Sequence, residues 1–367
     1  MIKKLTGLVL LLALALSLVA CGGYEAIPST EEEARVMMTF SYDGEKYEMR
    51  YELYRTMFLT YKSLIDDGDG SVWLGENKQE YIDRIDEIII SRVADIFATI
   101  HIAKKIGRDP YSAEADERVQ ELIKISVEGS STEEGTIEGF GGDYDAYLAS
   151  LKKYYMNYSV SELILRYSIA YNDIIDYYKG NFLEGELDEE IKVGNLEFQE
   201  KNIQDFYNGD GSARVLLATL DERSFSRERA EEIRDKIASF ANETSVQNYI
   251  ITMSATTAED AIDGVLIGKY SLEEAYFSEV TEAAFSLSEG ETSAVIPVTT
   301  ESGSYYYILY RTDKPESFYE ENKADVYSVF ADNEIGKIIN EAKSGIIAAA
   351  DEEALFGQLD RASVTMD

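Results

Sequence analysis

The sequence predicts an α+β fold in which one β-rich module stands among helices. Apolar residues recur at helical spacing from Tyr51 to Tyr178 and again from Phe318 to Ile347. Runs rich in β-branched and aromatic residues are concentrated between these stretches, at Arg214–Leu220, Ser293–Thr299 and Tyr305–Arg311. The β-type segments therefore form one module, with helical regions before and after it.

Length and charge limit the classes of function. The chain has 367 residues, enough for two or three domains with a sizeable core. Its net charge of −36 lacks the basic footprint of a nucleic-acid-binding protein, so we expect no nucleic-acid partner. The same charge repels anionic lipid headgroups. The sequence contains no nucleotide-binding motif, and we expect neither a cofactor nor a metal.

The N-terminus has the features of a secretion signal over residues 1–20. Lys3 and Lys4 precede an apolar run, Leu8–Ala20, that is too short to span a membrane. Leu18-Val19-Ala20-Cys21 resembles a bacterial lipobox, which implies a diacylglycerol on Cys21, the only cysteine. We therefore expect a protein held outside the cytoplasmic membrane by this lipid, the alternative being an ordinary or uncleaved signal peptide. Residues 21–33 are polar and are predicted to form a tether.

Residues 34–210 are predicted to be mainly helical. A hairpin is expected first, with strands Val36–Tyr42 and Lys46–Met49 around Asp43-Gly44. Gly129–Gly142 is predicted to be a mobile loop, and Ser159 with Glu162 fits a capping box that opens a helix. The predicted helices cover Tyr51 to Ile65, about Lys78–Ile106, Ala113–Val127, Tyr144–Tyr155, Ser159 to about Tyr178, and Phe198–Tyr207.

The β-rich module is assigned to residues 211–315, where Pro315 ends it. Between its first strand and the last two, the periodicity predicts helices at Ser226–Ala241 and Val246–Met253, then a Gly264–Gly268 segment and a short helix ending at Phe285. Residues 316–367 follow, with one helix at Phe318–Ile347 and an expected closing strand at Arg361–Met366.

Three pieces of this module, in order, resemble a parvulin-type (PpiC) prolyl isomerase domain. The first is Ala213-Arg214-Val215-Leu216-Leu217. The second is Glu282-Ala283-Ala284-Phe285-Ser286-Leu287, followed by Gly290-Glu291 and Ser293. The third is Ser302-Gly303, then Tyr307-Ile308-Leu309 and Arg311. The resemblance implies a four-stranded sheet with helices.

The region before the module resembles the N-terminal helical region of the SurA and PrsA foldases. It shares a hairpin and helix, a long helix ending in Ala103-Lys104-Lys105-Ile106-Gly107, and Ile203-Gln204-Asp205-Phe206-Tyr207 just before the first module strand. The resemblance implies a discontinuous helical chaperone domain. The parvulin-like module would be inserted into it, and the C-terminal helix in 316–367 would pack back on the helical region.

The chemistry of the parvulin family puts the activity of this module in question. The resemblance implies two histidines that face each other on the central strands, with an Asp or Cys nearby. Val215 and Tyr307 stand at the histidine positions and Thr256 at the third. A valine side chain has no hydrogen-bonding group, so we expect weak or no isomerase activity.

An apolar cradle for a proline ring is nevertheless expected. Its predicted members are Tyr276, Phe277, Val280, Phe285 and Tyr307. For Phe285 the alternative is an ordinary place in the core.

Two further patterns were weighed. Asp67, Asp69, Gly70 and Glu76 occur at calcium-loop spacing, but Ile65 stands where the loop needs its first carboxylate, which favours a plain acidic turn. His101 is the only histidine, so a Ser-His-Asp site would have to use it, and no nucleophile motif accompanies it. A structural role in the long helix is the better interpretation.

The sequence thus predicts a membrane-anchored extracytoplasmic foldase-like chaperone. Its partners would be unfolded or nascent secreted polypeptides, and its parvulin-type domain would be of doubtful catalytic competence. The first alternative is an active, divergent peptidyl-prolyl cis-trans isomerase. The second is a ligand-capturing lipoprotein, which would require repeated β-α units in two lobes.

Overall fold

The computed structural model describes residues 24–66, 78–132, 135–179, 190–193, 196–253, 263–270, 272, 278–300, 303–348 and 350–351. Its mixture of helices and antiparallel strands confirms the α+β class. The chain divides into two compact units, unit 1 (Met1–Ile174 and Ile338–Asp367) and unit 2 (Ile175–Lys337). Within the described ranges, no helix combines the length and apolarity needed to cross a membrane.

The elements in chain order are β1 (Val36–Tyr42), β2 (Glu45–Arg50), α1 (Tyr51–Asp66), α2 (Lys78–Lys105), α3 (Ala113–Glu128), β3 (Ser130–Thr132), β4 (Gly135–Ile137), α4 (Tyr144–Lys153), α5 (Tyr158–Tyr178), β5 (Glu190–Val193), β6 (Leu196–Gln199), α6 (Glu200–Asn208), β7 (Ser212–Asp221), α7 (Arg227–Ala238), α8 (Glu243–Met253), β8 (Val265–Gly268), α9 (Ser278–Ser286), β9 (Ile296–Thr300), β10 (Gly303–Thr312), α10 (Glu316–Glu321), α11 (Lys323–Ala348) and β11 (Ala350–Asp351).

The sheet of unit 1 is built on the predicted hairpin. Asp43 and Gly44 both have positive φ, 49° and 80°, as a primed two-residue hairpin turn requires. The strand order is β11-β1-β2, all antiparallel, so β2 is an edge strand of this sheet. A strand does close the sheet, but at Ala350–Asp351; the stretch predicted for it, Arg361–Met366, lies outside the described residues.

Helical packing forms the core of unit 1. The predicted stripe of α2 is buried, with Ile85, Ile89 and Val93 at 0% exposure. The helix ends where Gly107 takes a φ of 79°. A second cluster joins α3, α4 and α5, and its buried members include Val119, Leu122, Ile123, Tyr147, Leu151 and Ile169.

Local details of unit 1 differ from the prediction. The Gly-rich stretch Gly129–Gly142 contains a small hairpin, β3 with β4. Helix α5 begins at Tyr158 and is capped by Asn157, whose Oδ1 accepts from the Val160 N–H at 3.0 Å, so the capping box predicted at Ser159 is wrong. The hydroxyl of Ser159 donates instead to Glu52, at 2.8 Å. The carboxylate of Glu52, distant in sequence, therefore binds the Ser159 hydroxyl that the local pattern had assigned to the helix cap.

The predicted tether is docked from Tyr24 onward. The ring of Tyr24 stacks on Tyr144 at 4.8 Å, and its hydroxyl donates to Glu128. Further on, Thr30 and Glu33 exchange two hydrogen bonds that close a turn. Within residues 24–33, the chain thus lies on unit 1.

Unit 2 contains a four-stranded antiparallel sheet of order β8-β7-β10-β9. Helices α7 and α8 cover one face, where Leu216, Leu220 and Ile308 are buried. Helix α9 covers the other face, where Val215, Leu217 and Leu309 are buried. The alternation along β7 and β10 thus separates two cores, as expected for a sheet covered on both faces.

A third cluster of unit 2 joins α6, α10 and part of α11. Its aromatic members include Phe206, Tyr207, Phe318, Tyr327 and Phe330. The single helix predicted at Phe318–Ile347 is two helices in the structure, α10 and α11, with a break at Asn322.

Candidate functional site

The candidate site is the α9-covered face of the sheet, where the sequence predicted a degenerate catalytic centre. Val215 pairs with Arg311, and Tyr307 pairs with Thr219. Val215 and Tyr307 thus share a face of the sheet but stand four positions apart, about 13 Å along the strands. The two positions implied by the resemblance do not lie opposite each other.

Val215 lies in a closed apolar environment. It is 0% exposed and belongs to a cluster with Leu309, Val280 and Ala284. A substrate cannot reach this position without opening the core, and valine has no group that could polarise an amide. Val215 therefore has a packing role.

Tyr307 is half-buried and packs against the same cluster. Burial raises the pKa of Tyr307 above its ordinary value, and the neighbouring Tyr305 adds to this shift. The phenol therefore stays neutral near pH 7, where its hydroxyl can donate or accept a hydrogen bond.

Only some of the residues predicted for the cradle are described. Thr256, Tyr276 and Phe277 lie outside the described residues. Val280 is 1% exposed and forms the floor of the cluster, out of reach of a ligand. Phe285 and Tyr307 are half-buried and pack against it. Of the described cradle residues, only these last two are partly exposed.

The Gly-Glu-x-Ser signature acts as a backbone scaffold. Ser293 is buried, donates its N–H to the Leu309 carbonyl at 2.8 Å and accepts from the Leu309 N–H through its hydroxyl at 2.9 Å. Gly290 has a φ of 84° and donates to the Arg311 carbonyl at 2.8 Å. Glu291 in turn accepts from the Ser288 N–H at 2.8 Å. The signature thus aligns the segment before β9 with β10.

Arg214 is a structural anchor whose role the sequence did not reveal. Its guanidinium is buried, and it donates to the Asp263 carbonyl at 2.8 Å, the Asp313 carbonyl at 3.1 Å and the Glu243 carboxylate at 3.2 Å. It also lies 4.7 Å from the centre of the Phe318 ring. One side chain thereby ties β7 to α8, to the segment before β8 and to α10.

Arg311 and Lys314 form a half-buried basic pair. Arg311 donates to the Ala284 carbonyl near the end of α9 at 3.2 Å. Lys314 donates to the carbonyls of Gly209 and Ser212, at 2.7 and 3.0 Å. Burial, with a contribution from Arg311, lowers the pKa of Lys314 to about 8. Both side chains cap backbone carbonyls, which is a structural use.

Of the two remaining candidates, only His101 lies within the described residues. His101 belongs to α2 of unit 1, is buried, and shares a 2.9 Å hydrogen bond between its Nδ1 and the Tyr47 hydroxyl. The calcium-loop residues Asp67, Asp69, Gly70 and Glu76 lie outside the described residues. Among the residues that are described, no group of three or more His, Cys, Asp or Glu side chains is arranged to hold a metal.

Two aromatic side chains are partly exposed on the described face. It offers a half-buried ring and a half-buried phenol, Phe285 and Tyr307, over a sealed apolar floor. All strand pairs in the described part of the chain are antiparallel, so it shows none of the parallel β-α repeats that a two-lobed solute-binding protein requires.

Comparison with known proteins gives only distant structural similarity. No protein-family model matches the chain, and no curated protein matches it significantly. Among solved structures it is similar to the foldase protein PrsA from Streptococcus pneumoniae, with 16% identity over 72% of this chain and 83% of that one, at a TM-score of 0.29. PrsA from Bacillus subtilis matches 78% of this chain and 94% of its own length, at 18% identity and a TM-score of 0.24. Foldase protein PrsA from Lactococcus lactis is 14% identical over 86% of this chain and 91% of its own, also with a TM-score of 0.24. Scores this low do not establish a common fold across the chain.

Proposed function

We propose that the chain is a lipid-anchored extracytoplasmic chaperone of the foldase type, whose parvulin-like module binds or spaces client chains without isomerising proline bonds. Clients would be unfolded or nascent secreted polypeptides, and the reaction would be reversible burial of their apolar segments. Anchoring would use the lipid on Cys21.

One observation carries the proposal: Val215, at a histidine position of the parvulin pattern, is fully buried in an apolar cluster. Rotation about a peptide bond crosses a barrier of about 18–20 kcal/mol, and lowering it requires groups that act on the amide. A sealed valine supplies none. Phe285 and Tyr307, which are half-buried and pack against the same cluster, would still offer an apolar surface for a client segment.

The aggregation of an unfolded client, with and without the full chain, tests chaperone activity. Suppression in proportion to the amount of chain is expected, and no suppression at any ratio would refute the proposal. The rate of exchange between the cis and trans forms of a proline peptide tests the second part of the proposal, that the module does not isomerise proline bonds. No acceleration is expected, whereas acceleration that Tyr307→Phe abolishes would establish the alternative, an active divergent isomerase.

Membrane attachment is tested by Cys21→Ser in cells. The variant is expected to leave the membrane fraction and to lose labelling by a radioactive fatty acid. Unchanged labelling would contradict the lipid anchor, while the chaperone assay would remain informative because it does not require the lipid.

A further inference from the structure

Unit 1 contains a cavity of about 380 Å³ that the sequence did not predict. Its walls come from β2, the start of α1, α2, the segment before α3 and the first turns of α5. The volume lies in the range typical of pockets that take up a small ligand or a large side chain.

The cavity runs along the edge of β2. The consecutive residues Lys46, Tyr47 and Glu48 all line it. Neighbouring side chains of a strand point to opposite faces, so a cavity that touches three in a row follows the strand's edge. No described strand pairs with that edge of β2. A free edge presents unpaired N–H and C=O groups, which are a template for another extended chain.

One wall of the cavity is a preformed series of rings and cations. The Tyr47 ring stacks on Phe97 at 5.2 Å. The Lys104 ammonium lies 5.7 Å from the ring centres of both Tyr47 and Tyr111, and the Arg166 guanidinium lies 4.9 Å from the Tyr111 ring. Tyr111 is nevertheless 50% exposed. Rings held in this way can receive an apolar side chain at little entropic cost.

Three of the four cations that line the cavity are already in ion pairs: Lys46 with Glu48, Lys104 with Glu45 and Arg166 with Glu162. Four basic and three acidic side chains line the cavity, in a chain of net charge −36. The acidic side chains already have partners. Glu48 pairs with Lys46 at 3.0 Å and Glu162 with Arg166 at 2.6 Å, while Glu52 accepts from Asn157 at 2.7 Å and Ser159 at 2.8 Å.

Arg50 is the exception among the lining cations. It is exposed at the end of β2, and its guanidinium makes no hydrogen bond or ion pair within the described part of the chain. A guanidinium in this position is suited to a carboxylate, which it can hold through two parallel hydrogen bonds.

We propose that the edge of β2 binds an extended polypeptide segment by strand addition. An aromatic or large aliphatic side chain of the segment enters the cavity beside Tyr47 and Tyr111, and a nearby acidic side chain pairs with Arg50. Backbone hydrogen bonds to the edge give affinity for any extended chain, and the cavity gives preference for one composition. This inference rests on the proposed chaperone function and names a client-binding site for it.

The first experiment measures the binding of a short fluorescent peptide that carries phenylalanine near aspartate, using the full chain. Arg50→Glu is expected to weaken binding at least about tenfold, the size of one charge-assisted hydrogen bond. Arg108→Glu is the matched control, because Arg108 is exposed on the same unit and does not line the cavity. Equal affinities of the two variants would overturn the proposal.

The second experiment tests strand addition with two N-methylated forms of the peptide, methylated at alternate residues in the two possible registers. Only alternate residues of an added strand direct their N–H groups toward the edge, so one form is expected to lose binding and the other to keep it. Equal binding of both forms would overturn strand addition.

A measurement of self-association tests whether a second copy of the chain, rather than a client peptide, occupies the edge of β2. If the chain dimerises and Arg50→Glu abolishes the dimer without changing peptide affinity, a second copy occupies the edge and the proposal fails. Failure of the site is distinguishable from failure of the proposed function. In the first case the chain still suppresses aggregation while Arg50→Glu binds peptide normally. In the second case the unmodified chain neither suppresses aggregation nor binds the fluorescent peptide or its methylated forms.

Discussion

Arg311 lies directly opposite Val215 in the antiparallel pair of β7 and β10. This pairing places Tyr307 opposite Thr219, four positions away along the sheet. The two histidine positions of the parvulin pattern therefore share a face in this chain without facing each other. Their separation predicts the effect of placing histidines at both positions.

Restoring both histidines is expected to leave the chain inactive as an isomerase. In the double variant Val215→His, Tyr307→His, the backbone positions of the two histidines would stand about 13 Å apart along the strands, so the rings would not face each other across one amide. The imidazole at position 215 would also be buried without a partner, which costs about 1–3 kcal/mol of stability. The rate of cis-trans exchange of a proline peptide, measured by NMR with the double variant present, is expected to equal the rate in buffer alone.

Single replacements provide the control for this experiment. Tyr307→His alone changes a half-buried position and is expected to remain folded, so its exchange rate shows whether one imidazole suffices. Acceleration by the double variant but not by the single one would show that the two positions cooperate, contrary to the observed register.

The buried guanidinium of Arg214 is expected to be essential for the stability of unit 2. Arg214→Lys should lower the free energy of unfolding by about 2–3 kcal/mol, because an ammonium cannot reach the three acceptors that the planar guanidinium contacts. Chemical denaturation followed by circular dichroism measures the change. The control is Arg223→Lys, whose pair with Asp221 is exposed and screened by solvent, so its loss is expected to change stability little. Equal losses in both variants would contradict the anchoring role.

Local signals in the sequence predicted most of the elements, and the differences arise from long-range contacts. Asp43-Gly44 specified its hairpin because the positive φ values are a property of those two residues. The cap at Ser159 was wrong because Glu52, 107 positions away in sequence, accepts the Ser159 hydroxyl. No local pattern contains such a partner.

The candidate site shows the same difference between local signals, which the sequence contains, and long-range contacts, which it does not reveal. The resemblance implied that Val215 and Tyr307 face each other. The structure places them on one face of the sheet but four positions apart, because the pairing register depends on how β7 and β10 align in space. Arg214 likewise has the sequence context of an ordinary strand residue. Its anchoring role becomes evident only in the fold, where it donates to the carbonyls of Asp263 and Asp313.

Gly336 is expected to tolerate no side chain, although it lies within α11. A Cβ at this position would stand 1.7 Å from the Tyr270 carbonyl oxygen, a backbone atom that cannot move aside cheaply. Buried Asn333 holds the same residue through a 2.9 Å hydrogen bond from the Tyr270 N–H. Gly336→Ala should therefore destabilise unit 2 by about 2 kcal/mol or more, against the ~1 kcal/mol that alanine normally gains in a helix.

Thermal unfolding checks this prediction, with Ser344→Ala as the control at an exposed position of the same helix. The control should change stability by no more than about 0.5 kcal/mol. An increase in stability for Gly336→Ala would mean that the close approach of residue 270 to α11 does not persist in solution.

His101 is expected to make the stability of unit 1 depend on pH near neutrality. Burial lowers the pKa of His101, and Lys105 lowers it further, while Asp43, whose carboxylate lies 3.6 Å from Nε2, and Glu45 oppose the shift. The unfolded chain, with a histidine pKa of about 6.5, then binds a proton more readily than the folded chain. Stability should therefore fall as the pH is lowered through 6.5 toward the folded-state value. Denaturant unfolding between about pH 7.5 and 5.5 measures this slope, and comparison with His101→Gln isolates it, because the carboxylates titrate in both chains. Parallel slopes for the two chains would show that the imidazole titrates equally in the folded and unfolded states, and a steeper slope for His101→Gln would reverse the assigned direction.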